Sequence, residues 1–195
     1  GQGRHRMAGS ILAQTLNQFG SDVPDLDDPK LLVALVNAIN ELRAAGKLLA
    51  YHDRSDGGLW AAACEMAFAG QTGLSLNIDM LVTEGDGISD SRADMGDSKN
   101  WAAQVSGRRD ELTLKALFNE ELGALIQVRA ADRDAVMQVL RAHGLSRHSH
   151  VVAKPNGSRQ MEVWRDAKKV FGADLTSLQQ TWDEVSWRIA RLRDN

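Results

Sequence analysis

Apolar residues recur at helical spacing in several stretches of the chain. Leu32, Leu35, Val36, Ile39 and Leu42 form one stripe behind Pro29, a residue well tolerated in a first helical turn. This predicts a helix that Gly46 ends. A shorter helix is expected over residues 7–19, another over about 58–69, one near 113–119 and one from Asp132 to His143, stopped by Gly144. The clearest pattern is the last, about 174–192, where Leu175, Leu178, Trp182, Val185, Ile189 and Leu192 are three or four apart. Packing on a sheet explains that face; a coiled-coil partner surface is the alternative.

Strand signals lie between these helices. Leu48–Tyr51 reads as a short buried strand, and Leu74, Leu76 and Ile78 alternate as a strand with one buried face. Ala124–Val128 and residues 147–153, 159–165 and 168–171 supply the rest, with Asn156-Gly157 predicting a hairpin turn between the 147–153 and 159–165 strands. The fold class expected is α/β (α+β), a mixed β-sheet with helices packed on one face. Residues 83–110 break the pattern: rich in Gly, Asp, Ser and Arg, they read as an exposed insertion that is functional, partly helical or disordered.

The composition narrows the classes. With 195 residues, 43% hydrophobic and 25% charged, the chain is long enough for a core and unlike a disordered one. A net charge of -3 offers no global attraction for nucleic acid. No apolar run reaches the roughly 18 residues of a membrane span. The chain starts with Gly rather than Met, which suggests processing or an excised piece. One cysteine, Cys64, precludes an internal disulfide, fits a cytoplasmic setting and sits in an apolar helix pattern, so a buried thiol is expected rather than a nucleophile.

Candidate chemistry concentrates in Tyr51-His52-Asp53-Arg54-Ser55-Asp56-Gly57-Gly58-Leu59. Here a strand delivers short polar groups into a helix start, where backbone N–H groups can meet phosphate oxygens. Asp53 offers a hard oxygen to magnesium, Ser55 a hydroxyl to a phosphate, and Arg54 a partner for an anion or a neighbouring acid. The bland alternatives are equally physical: Asp56 as an N-cap, Asp53 as a loop stabiliser, His52 in a structural hydrogen bond, and Gly57 and Gly58 as an ordinary tight turn. Gly1-Gln2-Gly3 is not a dinucleotide-binding motif, and no Walker A motif occurs. His143, His148 and His150 lack the further ligand that zinc would need. Glu120 and Glu121, in Phe118-Asn119-Glu120-Glu121-Leu122-Gly123, read as a solvated turn.

These stretches carry a family resemblance. Arg6-Met7-Ala8-Gly9-Ser10 with Leu12-Ala13-Gln14, the block from Lys47 to Leu59, Glu65–Gly70 and Ala116–Gly123 resemble the C-terminal part of the synthetase region of large bacterial phosphoribosylformylglycinamidine synthases, and the final Arg191–Asn195 resembles that family's join to its glutaminase region. The likeness covers residues 1–82 and 112–195 and implies the C-terminal domain of the second synthetase half, in the aminoimidazole ribonucleotide synthetase superfamily. It implies a single α/β domain over 1–195 that is a fragment of a larger multidomain enzyme. That enzyme is a cytoplasmic, ATP-dependent carbon–nitrogen ligase of purine biosynthesis, which converts formylglycinamide ribonucleotide and glutamine-derived ammonia to formylglycinamidine ribonucleotide. Asp53 would be a magnesium ligand and Ser55 a nucleotide contact at an auxiliary ATP/ADP site, with His52, Arg54, Asp56, Gly57 and Gly58 as the supporting loop. No catalytic residue maps onto this chain. The N-terminal synthetase domains and the glutaminase domain would be its partners, and the isolated piece would be inactive. The alternative is a structural or interaction domain of the same enzyme without autonomous ligand binding.

Overall fold

A computed structural model describes residues 3–82 and 98–194, with backbone alone for 98–106. Residues 83–97, the first half of the expected insertion, lie outside the described residues. In chain order the elements are α1 (Ile11–Thr15), α2 (Pro29–Ala44), β1 (Ala50–Asp53), α3 (Gly58–Gly70), β2 (Gly73–Asn77), α4 (Asp79–Val82), α5 (Ser98–Phe118), β3 (Ala124–Gln127), α6 (Arg133–Ala142), β4 (Ala153–Asn156), β5 (Gln160–Arg165), β6 (Lys168–Asp174) and α7 (Leu175–Arg193). The class is α+β. The chain divides into two compact units, Gly1–Ala62 with Met80–Val151, and Ala63–Asp79 with Val152–Asn195.

In the first unit, β1 and β3 pair antiparallel, with Tyr51 opposite Ile126 and Asp53 opposite Ala124. Asp28 caps α2 by accepting the Lys30 N–H at 2.9 Å, and Pro29 stands in the first turn. The core joins Ala38 and Leu42 of α2 to Val136 and Leu140 of α6 and to Leu145. The α2 stripe is therefore only partly a packing face: Leu42 is fully buried while Val36 is half exposed. The expected helix over 7–19 shrinks to α1. Gly9, with φ of 74°, turns the chain there, and the Ala8 and Gly9 N–H groups bond the Asp22 and Phe19 carbonyls instead of continuing a helix. The helix expected at 113–119 is the end of α5, which starts at Ser98, so residues 98–110 of the expected insertion are helical, one of the alternatives that stretch left open.

In the second unit the sheet order is β4-β2-β5-β6, with β2 parallel to β5 and the other pairs antiparallel. Asn156-Gly157 is consequently not a hairpin turn, because β2 lies between β4 and β5. The strand expected over 147–153 is displaced: Ser146–His148 forms a 3-10 turn and β4 begins at Ala153. One sheet face buries Leu76, Met161 and Val163. The other is polar: Glu162 accepts hydrogen bonds from Ser75, Trp164 and Lys169. The helical parts of this unit supply apolar groups, with Ala63, Cys64, Ala67, Phe68 and Leu175 all buried. Gly73 has no room for a side chain, since a Cβ would collide with the Asn156 side chain and lie 2.6 Å from the Gln160 nitrogen.

Candidate functional site

Three segments of the first unit converge: the approach to α1, the loop from β1 to α3, and the loop from α5 to β3. Their shared centre is Glu121. Its carboxylate is buried and accepts the Arg6 side chain at 2.6 Å and 2.9 Å and the Arg6 backbone N–H at 3.2 Å. Arg6 also donates to Asp27 at 2.9 Å and to the Asp25 carbonyl at 3.0 Å. Burial alone would raise the Glu121 pKa, but the hydrogen bonds from Arg6 outweigh it and hold the carboxyl below its ordinary range. Glu121 is thus not the solvated turn residue that its sequence suggests.

Asn119 is equally buried. Its amide donates to the Lys115 carbonyl at 2.6 Å, ending α5, and to His5 Nδ1 at 3.1 Å, while its oxygen accepts the Glu121 N–H at 3.3 Å. His5 Nε2 lies 2.9 Å from the Leu81 carbonyl. These partners fix a neutral ring with the proton on Nε2. Burial, first among the causes, lowers the His5 pKa.

Glu120 performs a different task. One of its carboxylate oxygens accepts both the Ile11 N–H, in the first turn of α1, and the Gly57 N–H, just before α3, each at 2.9 Å. It caps two chain turns at once, from a third segment. The N-cap expected at Asp56 is therefore corrected: that carboxylate bonds no α3 N–H, and the donor beside it is taken by Glu120.

The supporting loop is built by close approach. Gly57 and Gly58 have φ of 78° and 68°. A Cβ on Gly58 would stand 2.7 Å from the Leu117 and Asn119 carbonyl oxygens, so only glycine lets α3 start against the end of α5. Arg54 donates to the Glu121 carbonyl at 2.7 Å and to the Leu122 carbonyl at 3.3 Å, and its backbone N–H bonds Gly123. Burial pushes its pKa down, and the Glu121 charge opposes this. Two of its three guanidinium nitrogens thereby meet backbone carbonyls of the α5–β3 loop. His52 Nδ1 lies 2.6 Å from the Asp53 carbonyl.

What remains unbonded is informative. The side chains of Asp53, Ser55 and Asp56 are exposed and have no hydrogen-bonding or ionic partner among the described residues. Beside Asp53 runs a groove of about 330 Å³, walled by Leu32, Leu35, Val36 and Ile39 of α2 and bordered by Tyr51, Asp53 and Arg54. Among the described residues no three His, Cys, Asp or Glu side chains gather into a metal site. Asp53 alone offers magnesium one hard oxygen, which suits an ion that keeps several waters and takes few protein ligands.

Residues 3–164 match the family described as AIR synthase related protein, C-terminal domain. The chain belongs to this family. Its fold is also similar to that of solved Thermotoga maritima proteins. One is T. maritima PurL complexed with ATP, at TM-score 0.57 and 17% identity over 79% of this chain and 22% of that one. Another is T. maritima PurL complexed with FGAR, at 0.55 and 17% over 74% and 20%. A third is PurLQS from Thermotoga maritima, at 0.56 and 18% over 87% and 24%. The chain thus spans about a quarter or less of the chains it matches. No helix among its described residues is long and apolar enough to cross a membrane.

The signal for Asp53 and Ser55 was the polar, glycine-ended loop itself. Glu120, Glu121, Asn119 and Arg6, which position that loop, carried no such signal, because the contacts that join the three segments, Arg6 to Glu121, Glu120 to Gly57 and Asn119 to His5, each span more than sixty residues.

Proposed function

We propose that the domain forms one side of an auxiliary magnesium–nucleotide site in a cytoplasmic, ATP-dependent carbon–nitrogen ligase of purine biosynthesis, a phosphoribosylformylglycinamidine synthase with a glutamine amidotransferase partner domain. The observation that carries this reading is the division of labour in the loop: its backbone and Arg54 are held by neighbouring segments, while the Asp53 and Ser55 side chains have no hydrogen-bonding or ionic partner among the described residues. Asp53 would give magnesium an oxygen, Ser55 would donate its hydroxyl to a phosphate oxygen, and the α3 N-terminus would favour the negative charge nearby. The named complexes of fold relatives with ATP and FGAR support a nucleotide and that ribonucleotide as ligands of the whole enzyme. In that enzyme the ATP γ-phosphate would activate the substrate amide oxygen and ammonia would displace phosphate, chemistry carried by residues outside this chain.

The second reading is a structural domain without autonomous ligand binding, favoured by the lack of a converged metal set among the described residues. Assay of the full-length enzyme tests the main reading. Phosphate release from ATP that requires both formylglycinamide ribonucleotide and ammonia is expected, and release independent of that ribonucleotide would overturn it.

A further inference from the structure

Among the described residues, the stripe on α7 runs out of partners halfway along the helix. Leu175 is fully buried, and Trp182 still packs against Phe68, ring centroids 5.7 Å apart, and donates to Glu65 at 3.2 Å. Beyond it Val185, Ile189 and Leu192 are 67%, 60% and 83% exposed. An isolated exposed leucine needs no explanation, but a row continuing a buried stripe does.

Its spacing is specific. Leu178, Trp182, Val185, Ile189 and Leu192 are separated by 4, 3, 4 and 3 residues, the alternation of the seam between two supercoiled helices. The positions that flank such a seam are Gln179, Ser186 and Arg193 on one side and Thr181 and Arg188 on the other. None is acidic and two are arginine. The acids Asp183 and Glu184 fall outside the rim. Arg188 bonds Glu184 and Arg193 bonds Asp194, but these are exposed pairs within one helix, weak enough for a partner's carboxylate to compete. A parallel second copy would face Arg188 with the other copy's Arg193, like charge against like.

We propose that the C-terminal half of α7 is a docking surface for an amphipathic helix of another protein segment, with apolar residues at the same 4-3 spacing and Asp or Glu flanking them. The apolar row would supply the buried area, and the acidic rim would choose the partner by meeting Arg188 and Arg193.

Two synthetic helical peptides test this against the 195-residue chain. They share Leu and Ile at the seam, and carry Glu in one and Lys in the other at every flanking position, so that each repels itself. Fluorescence anisotropy should show the Glu peptide binding about tenfold tighter than the Lys peptide. The charge-reversed variant R188E/R193E should invert that order, and Ile189→Asp should abolish binding of both while leaving the unfolding midpoint unchanged. Equal binding of the two peptides, no binding of either, or self-association of the chain that Ile189→Asp dissolves would each overturn the proposal.

Discussion

Glu120 accepts the Gly57 N–H and the Ile11 N–H with one carboxylate oxygen, each at 2.9 Å. A residue from the α5–β3 loop thus caps both the start of α1 and the turn that carries Ser55. Replacing it with alanine leaves two backbone donors to water. Glu120→Ala should cost about 0.5–2 kcal/mol, the range for a lost cap, measured by urea unfolding. Glu120→Gln, which keeps an acceptor oxygen, should recover part of the loss. Equal stability of the alanine variant and the parent would show that the shared cap does not matter.

The first and last residues of α3, both glycine, make an internal comparison. Gly58→Ala places a methyl 2.7 Å from two carbonyl oxygens at a φ of 68°, and should destabilise by about 2 kcal/mol or more. Gly70→Ala, at the end of the same helix with open space around it, should stay within about 0.5 kcal/mol. Similar midpoints for the two variants would contradict the close approach of α3 and α5.

Stability should fall toward acid in two stages. The His5 pKa is held below its ordinary 6.5 chiefly by burial, so the unfolded chain takes up that proton first. The contribution is complete above about pH 6.5 and is lost as pH falls through the lower native value. The Glu121 carboxyl, which burial would raise, is held below 4.5 by Arg6, so its contribution is lost at still lower pH. Asp132, beside Lys47, and Glu162, beside Trp164, Lys169 and Ser75, join that second stage. His5→Gln should flatten the upper stage of a stability–pH profile and leave the lower one. Superimposable profiles would refute the assignment.

Cys64 should behave as core. Burial and, secondarily, the Glu65 charge push its thiol up to about 12, and the residue is only 6% exposed. Reaction with a disulfide reagent near pH 8 should be at least about a hundredfold slower in the native chain than in urea. Rapid native labelling would mean that α3 opens readily.

Periodicity in the sequence located α2, α3, α6, α7 and most strands, because their faces are set by neighbours three, four or two residues away. It failed where partners are distant. The Asn156-Gly157 turn has hairpin chemistry, but β2, some eighty residues earlier, intervenes between its strands. Glu120 and Glu121 look solvated because nothing local reveals Arg6, Ile11 or Gly57 as their partners. The α7 stripe is legible as a stripe, yet its pattern does not distinguish the buried Leu175 from the exposed Leu192. For the site, the loop was legible from Asp53 through Gly58, whereas the scaffold that fixes it was not.

The most direct test is calorimetric titration of ADP into the full-length enzyme with and without magnesium. Asp53 is exposed and bonds no neighbour among the described residues, so Asp53→Asn should leave the unfolding midpoint unchanged. The account predicts magnesium-dependent binding that weakens at least about tenfold in Asp53→Asn and less in Ser55→Ala. Unchanged magnesium-dependent affinity in Asp53→Asn would contradict it.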